Sequence, residues 1–179
     1  MQPYPTHLVK RLTLADGTAV TLRPIRAADA RIEQEFVRSL SAEARYFRFM
    51  DMLRELSPKM LKQMTDIDYH DQMALIAVTP SHKYEVQIAV GRYVVYPGSD
   101  DCEFAIIVSD GWQKKGIATA IMRLLIDAAR ERGLKRMIGE VLASNNNMLH
   151  FVRKFGFRLA ADPADPRQIR AILDLKPRD

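Results

Sequence analysis

The sequence predicts an α+β domain built on a mixed, mostly antiparallel, twisted sheet flanked by helices. Three observations carry this. Asp16-Gly17 lies between two strand-like segments, Leu8–Thr13 and Thr18–Arg23, which is a strong hairpin signal. Four successive strand readings with short turns imply antiparallel neighbours. An apolar run from Phe104 to Val108 then breaks at Ser109-Asp110-Gly111. It passes into an amphipathic helix with Ile117, Ala120, Ile121, Leu124, Leu125 and Ala128 on one face.

The totals suit one domain over residues 1–179, with an N-terminal hairpin or arm over about residues 6–18. The 179 residues are 47% apolar and 27% charged, enough for a single core. No apolar run reaches membrane-spanning length, and the first residues lack a signal-peptide pattern. A lone cysteine, Cys102, excludes an internal disulfide framework and fits a reducing cytosol, so a cytoplasmic location is expected. No Cys/His cluster has metal-ligand spacing, and no metal is expected. The net charge of +5 suits an anionic ligand or solubility. The basic residues are spread among acids with no base-reading motif, so nucleic acid is not an expected partner.

In order along the chain, Ala19–Ile25 reads as the first core strand. Ala28-Asp29 opens a helix carrying Ile32, Phe36, Val37 and Leu40. Ser41 starts a second helix, in which Arg45–Phe49 reads as helix plus core, with an acceptor-site wall as the alternative. Ser57-Pro58 pairs a cap with a first-turn proline and opens a helix to about Thr65. Asp66–Asp71 is a polar loop, whose Tyr69-His70 reads as exposed rather than catalytic. Ala74–Thr79 and Val86–Tyr96 are strands, and Pro97–Asp101 turns into the Phe104–Val108 strand. The long helix closes near Gly133. Lys135–Leu142 is a strand, and Ala143–Asn147 a loop and cap. A short helix with Met148, Leu149, Val152 and Phe155 closes at Gly156. Asp162–Pro166 is a loop, and Ile169–Leu175 the last strand.

The junction at residues 113–119 has the physics of an anion site. The first N–H groups of a helix lack intrahelical partners, and the helix dipole is positive there. Gly116 and Ala118 leave the backbone accessible, and Lys114 and Lys115 add charge. An ordinary strand–helix connection with a solvated lysine pair would read the same way. The Gly-Lys-Ser/Thr ending of a nucleotide-triphosphate loop and the Rossmann glycine pattern are both missing.

Gln113-x-x-Gly116-x-Ala118 resembles the Q/R-x-x-G-x-G/A signature of the GNAT acyltransferase superfamily. One strand later, Asn145-x-x-Met148 and Phe155-Gly156-Phe157 resemble its second motif, in the right order and spacing. Segments 6–9, 20–26, 33–41, 45–49 and 141–145 are similar to the GNAT domain of bacterial Pat-type protein lysine acetyltransferases. Many of those carry a synthetase-like region or a sensing domain besides. This chain has no room for either and reads as the catalytic domain alone.

The resemblance implies a GNAT fold and acetyl transfer from acetyl-CoA, as co-substrate, to a primary amine. The amine would be a protein lysine, for example in acetyl-CoA synthetase. A small-molecule amine and a weakly catalytic acyl-CoA-binding regulatory module stay open beside it. Glu103 would be the general base, with Ala105 and Ile107 on its strand face. Ile106, Ile107 and Val108 would pair with the pantetheine arm. Gln113, Lys114, Lys115, Gly116, Ile117, Ala118 and Thr119 would hold the pyrophosphate. Asn145 would contact the cofactor, cap a helix, or do both. Phe151 would pack on the cofactor or in the core. Val152 departs from the pattern, since many GNAT enzymes carry a thiolate-protonating tyrosine there. A homodimer is compatible with the family, and Cys102 reads as core.

Overall fold

The structure is a computed structural model that describes residues 2–50 and 53–176. Its strands are β1 (Lys10–Thr13), β2 (Ala19–Pro24), β3 (Gln72–Pro80), β4 (Glu85–Val95), β5 (Asp101–Val108), β6 (Arg136–Leu142), β7 (Arg158–Ala161) and β8 (Gln168–Asp174). Its helices are α1 (Ala30–Ser39), α2 (Ala42–Phe49), α3 (Pro58–Thr65), α4 (Ile117–Glu131) and α5 (Asn146–Lys154). The strands form one sheet in the order β1-β2-β3-β4-β5-β6-β8-β7. Every pair is antiparallel except β5–β6. This is the α+β arrangement expected.

Two apolar layers cover the sheet. On one face, Ile117, Ile121, Met122 and Leu125 of α4, with Leu149 and Val152 of α5, pack on Leu75, Tyr93, Cys102, Phe104 and Met137. On the other, Ile32, Phe36 and Val37 of α1 join Leu56, Ile67, Ile76 and Val90. The strict alternation of β5 divides it between the layers. Cys102, Phe104, Ile106 and Val108 are buried under α4, while Glu103, Ala105 and Ile107 face the other side.

The expected caps are present. The Ser41 hydroxyl accepts from Ala44 N–H at 3.1 Å, Ser57 from Met60 at 3.2 Å and Asn145 from Met148 at 3.2 Å. Three readings shift. The chain over Thr6–Leu8 is a 3₁₀ turn, so β1 begins only at Lys10. Regular helix begins at Ala30, after a 3₁₀ turn at Ala27–Asp29 that the buried Asp29 carboxylate closes by accepting from Arg26 N–H at 2.9 Å, while it also binds the Arg23 guanidinium at 2.7 and 2.8 Å. Strand β7 has no counterpart in the sequence reading. Its four residues lack β-branched side chains, and pairing with β8 alone makes them a strand.

Strands β5 and β6 pair only at Asp101–Arg136, Cys102–Met137 and Glu103–Ile138. Yet β5 stays paired with β4 out to Val108, and β6 with β8 out to Leu142. The two strands therefore part beyond Glu103. The ring of Phe104 lies over Gly139, where a Cβ would sit 2.4 Å from it, so only glycine admits that close approach.

Candidate active site

The parting of β5 and β6 opens a cleft of about 520 Å³. One wall is β5 from Phe104 to Val108, and the other is Gly139–Val141 of β6. Residues Gln113, Lys114 and Gly116–Thr119 close one end, α5 adds Met148 and Phe151, and Glu43, Phe47 and Arg48 of α2 cover it.

The strand β5 backbone faces the gap without a strand partner beyond Glu103, so its polar groups there are available to an extended ligand. At the end of β5 the chain makes a 3₁₀ turn over Asp110–Trp112, then a left-handed residue at Lys114 (φ 59°) and another at Gly116 (φ 85°). A Cβ on Gly116 would meet nothing within 4 Å, so glycine is required there for its backbone angle and not for space. The first bond of α4 runs from Ala120 N–H to the Gly116 carbonyl at 3.1 Å. The N–H groups of Ile117, Ala118 and Thr119 precede it at the dipole's positive end. Gln113 is used locally, donating from Nε2 to the Val108 carbonyl at 3.2 Å. Lys114 lines the cleft. Lys115 does not, since its ammonium lies 3.1 Å from Asp16 in the β1–β2 turn and 5.6 Å from the centre of the Trp112 ring.

The Asn145 side chain caps α5, as its cap reading expects, and the residue also lines the cleft. Phe151 lines the cleft with its ring 5.1 Å from that of Phe155. Val152 is wholly buried and faces the core. Cys102 is fully buried, and desolvation pushes its thiol up to about 12. It should therefore resist thiol reagents in the native protein at neutral pH and react only on unfolding. Ellman's reagent with and without denaturant measures this, and reaction in the folded state would contradict it.

Glu103 stands at the last paired position of β5, where the strands begin to part. It is solvent-exposed and lies beside the residues that line the cleft, not among them. Desolvation by its surroundings pushes its carboxyl above the usual range, Glu140 adds to this, and Arg48 opposes it. The half-buried Arg48 guanidinium is drawn down to about 10, chiefly by desolvation and then by Arg92.

The lining shows what sequence reasoning missed. Helix α2 is divided: Phe49 packs against the apolar layer of α1, as the core reading of Arg45–Phe49 expects, while Phe47 and Arg48 line the cleft. Ser41 N–H donates to Asp110 at 3.3 Å and ties α2 to the turn after β5. Glu140, His150 and Lys154 also line the cleft. Glu140 had no sequence signal, because an acid alternating with apolar residues in a strand reads as solvent-facing. Tyr69 and His70 lie elsewhere, with the Tyr69 hydroxyl donating to the Ile25 carbonyl and His70 beside Asp71.

The family model described as Acetyltransferase (GNAT) family matches residues 41–157. The chain belongs to the GNAT acetyltransferase family. It is 34% identical over 157 residues to Acetyltransferase PA5475 of Pseudomonas aeruginosa, covering 88% of this chain and 84% of that protein. It is similar to the GNAT domain of S. lividans PAT, with a TM-score of 0.86 and 30% identity over 97% of this chain and 100% of that one. A cAMP-binding acyltransferase from Mycobacterium smegmatis shares the fold at a TM-score of 0.63 and 22% identity, with 96% of this chain spanning 49% of that one. The GNAT fold and acetyl-transfer activity inferred from the two motifs are therefore correct, and GNAT enzymes in general use acetyl-CoA as the acyl donor.

Proposed function

We propose that this GNAT enzyme acetylates the side-chain amine of a protein lysine, with Glu103 as general base. The carrying observation is the position of Glu103. It is an exposed carboxylate at the point where β5 and β6 part, reachable from outside by a long side chain. A pocket built for a small polycation would be closed and rich in carboxylates. Here Glu103 and Glu140 are offset by Arg48 and Arg170. The similarity to the GNAT domain of S. lividans PAT over nearly the whole chain supports the same reading.

A free lysine is protonated at neutral pH, its pKa being about 10.4, so the ammonium must lose a proton before it can attack. Glu103 takes that proton, directly or through water. The neutral nitrogen adds to the thioester carbonyl, whose oxyanion a β5 N–H at Ile106–Val108 can stabilise. The C–S bond then breaks, and the new amide releases its second N–H proton to solvent. The CoA thiolate, with a thiol pKa of about 8.5, leaves without a dedicated acid and takes a proton from solvent. Buried Val152 supplies none.

The N–H groups of Gly116–Thr119, with the Lys114 ammonium, would hold the pyrophosphate, and Asn145 and Phe151 would border the pantetheine. Lys114→Ala should then raise KM for acetyl-CoA about tenfold, as loss of one charge-assisted contact of roughly 1.4 kcal/mol would. Lys115→Ala, whose ammonium is paired with Asp16, should change it less than about threefold. Equal effects in steady-state kinetics would remove the distinction between the two lysines.

The proposal is tested by thiol release from acetyl-CoA with acetyl-CoA synthetase and a polyamine panel side by side. Turnover with the protein, and acetylation of a mapped lysine, is expected. Turnover with a polyamine alone would overturn the protein-lysine reading.

A further inference from the structure

Two residues beyond Ile138, the strand partner of Glu103, β6 carries Glu140. Strand alternation puts it on the same sheet face as Glu103, and it lines the cleft. Its two oxygens have different surroundings. Oε1 accepts from Arg170 Nε at 3.0 Å. Oε2 is shielded from solvent and has no hydrogen-bond partner among the described residues. A carboxylate oxygen removed from water without a donor weakens a fold. An apolar residue here would have kept the strand pattern without that cost, so the acid calls for another explanation.

Its neighbours indicate one. The charged and titratable groups facing the Glu103–Glu140 pair are Arg48 from α2, Arg170 from β8 and Tyr96 from the end of β4. Tyr96 is pushed up to about 12 by desolvation and then by both carboxylates, so its hydroxyl stays neutral at working pH. Arg170 holds one Glu140 oxygen, and Arg48 counters Glu103. Glu140 nevertheless raises the Glu103 carboxyl, so the two acids act on the same space where the strands part.

We propose that Glu140 is a positioning residue for acetyl transfer, forming with Glu103 a two-carboxylate seat for the acceptor's ammonium where β5 and β6 part. This rests on the reading of Glu103 as the base. The fixed Glu140 charge draws the ammonium in. Glu103 then accepts one N–H proton, and the nitrogen keeps the electron pair with which it attacks. Proton transfer to Glu103 is favoured because two adjacent carboxylates resist being ionised together.

Glu140→Gln keeps the shape and the oxygen that Arg170 binds, and removes only the charge. In the whole protein, carbon-13 NMR of the glutamate carboxyls reads the Glu103 midpoint, assigned by its loss in Glu103→Gln. The midpoint should fall in Glu140→Gln. In Arg170→Gln, which keeps the Glu140 charge, it should rise. With acetyl-CoA synthetase as acceptor, KM for the acceptor should rise about tenfold in Glu140→Gln. KM for acetyl-CoA should stay within about twofold, and the acid limb of the rate should move to lower pH. A Glu103 midpoint that does not move in either variant overturns the proposal, as does an equal rise in both KM values. Failure of the base reading looks different, since Glu103→Gln would then keep full turnover while the midpoint still moved.

Discussion

Replacing Glu103 by glutamine should lower kcat by about 10²–10⁴-fold, the usual worth of a general base. Acetyl-CoA binding should persist, because the loop and helix N-terminus at residues 113–119 are separate from Glu103. Calorimetric titration of acetyl-CoA alongside thiol-release kinetics checks both halves. An unchanged rate would remove Glu103 from the mechanism. The pH profile adds a sign. A base works when unprotonated, and the Glu103 carboxyl is raised by desolvation and then by Glu140. The rate should therefore fall, as pH drops, at a value above the ordinary glutamate pKa of about 4.3. In Glu103→Gln that limb should disappear and the residual rate should follow the unprotonated fraction of the amine itself.

The largest stability loss is expected from Glu33→Ala, at about 3–5 kcal/mol. Glu33 is 2% exposed and Arg92 is 9% exposed, and the two meet at 3.2 Å between α1 and β4. Gln87 Nε2 donates to the other Glu33 oxygen at 2.5 Å. Removing the carboxylate leaves a buried guanidinium whose charge is no longer neutralised, with Arg48 close enough to repel it. Restoring apolar character on both sides, as in Glu33→Ala with Arg92→Met, should recover most of the loss, because the unpaired charge is what destabilises. Urea denaturation of the single and double variants measures this. Similar midpoints for wild type and Glu33→Ala would show the pair contributes little.

Local signals in the chain were enough for most elements. Ser41, Ser57 and Asn145 cap the helices they were expected to open, because an N-cap needs only its own side chain and an N–H three residues on. The Asp16-Gly17 turn and the alternation of β5 are equally local. β7 was invisible because its strand character comes from its partner, not from its own residues. The site divides in the same way. Gly116 and Ala118 marked the loop-to-helix junction that closes one end of the cleft, since that signal lies in consecutive residues. Lys115 carries the same signal as Lys114, but a contact with Asp16, far away in sequence, ties its ammonium there, outside the cleft lining.

The sequence by itself determined the α+β class, the caps, the two motifs and, through them, the family. Each of these is written in spacing along one segment. Only the tertiary structure decided that β5 and β6 part beyond Glu103, that α2 walls the cleft and that Glu140 comes alongside Glu103. Those depend on register between strands more than thirty residues apart and on which face of a helix meets the sheet. No single segment encodes either, because hydrogen bonding across strands and burial against a partner settle them together.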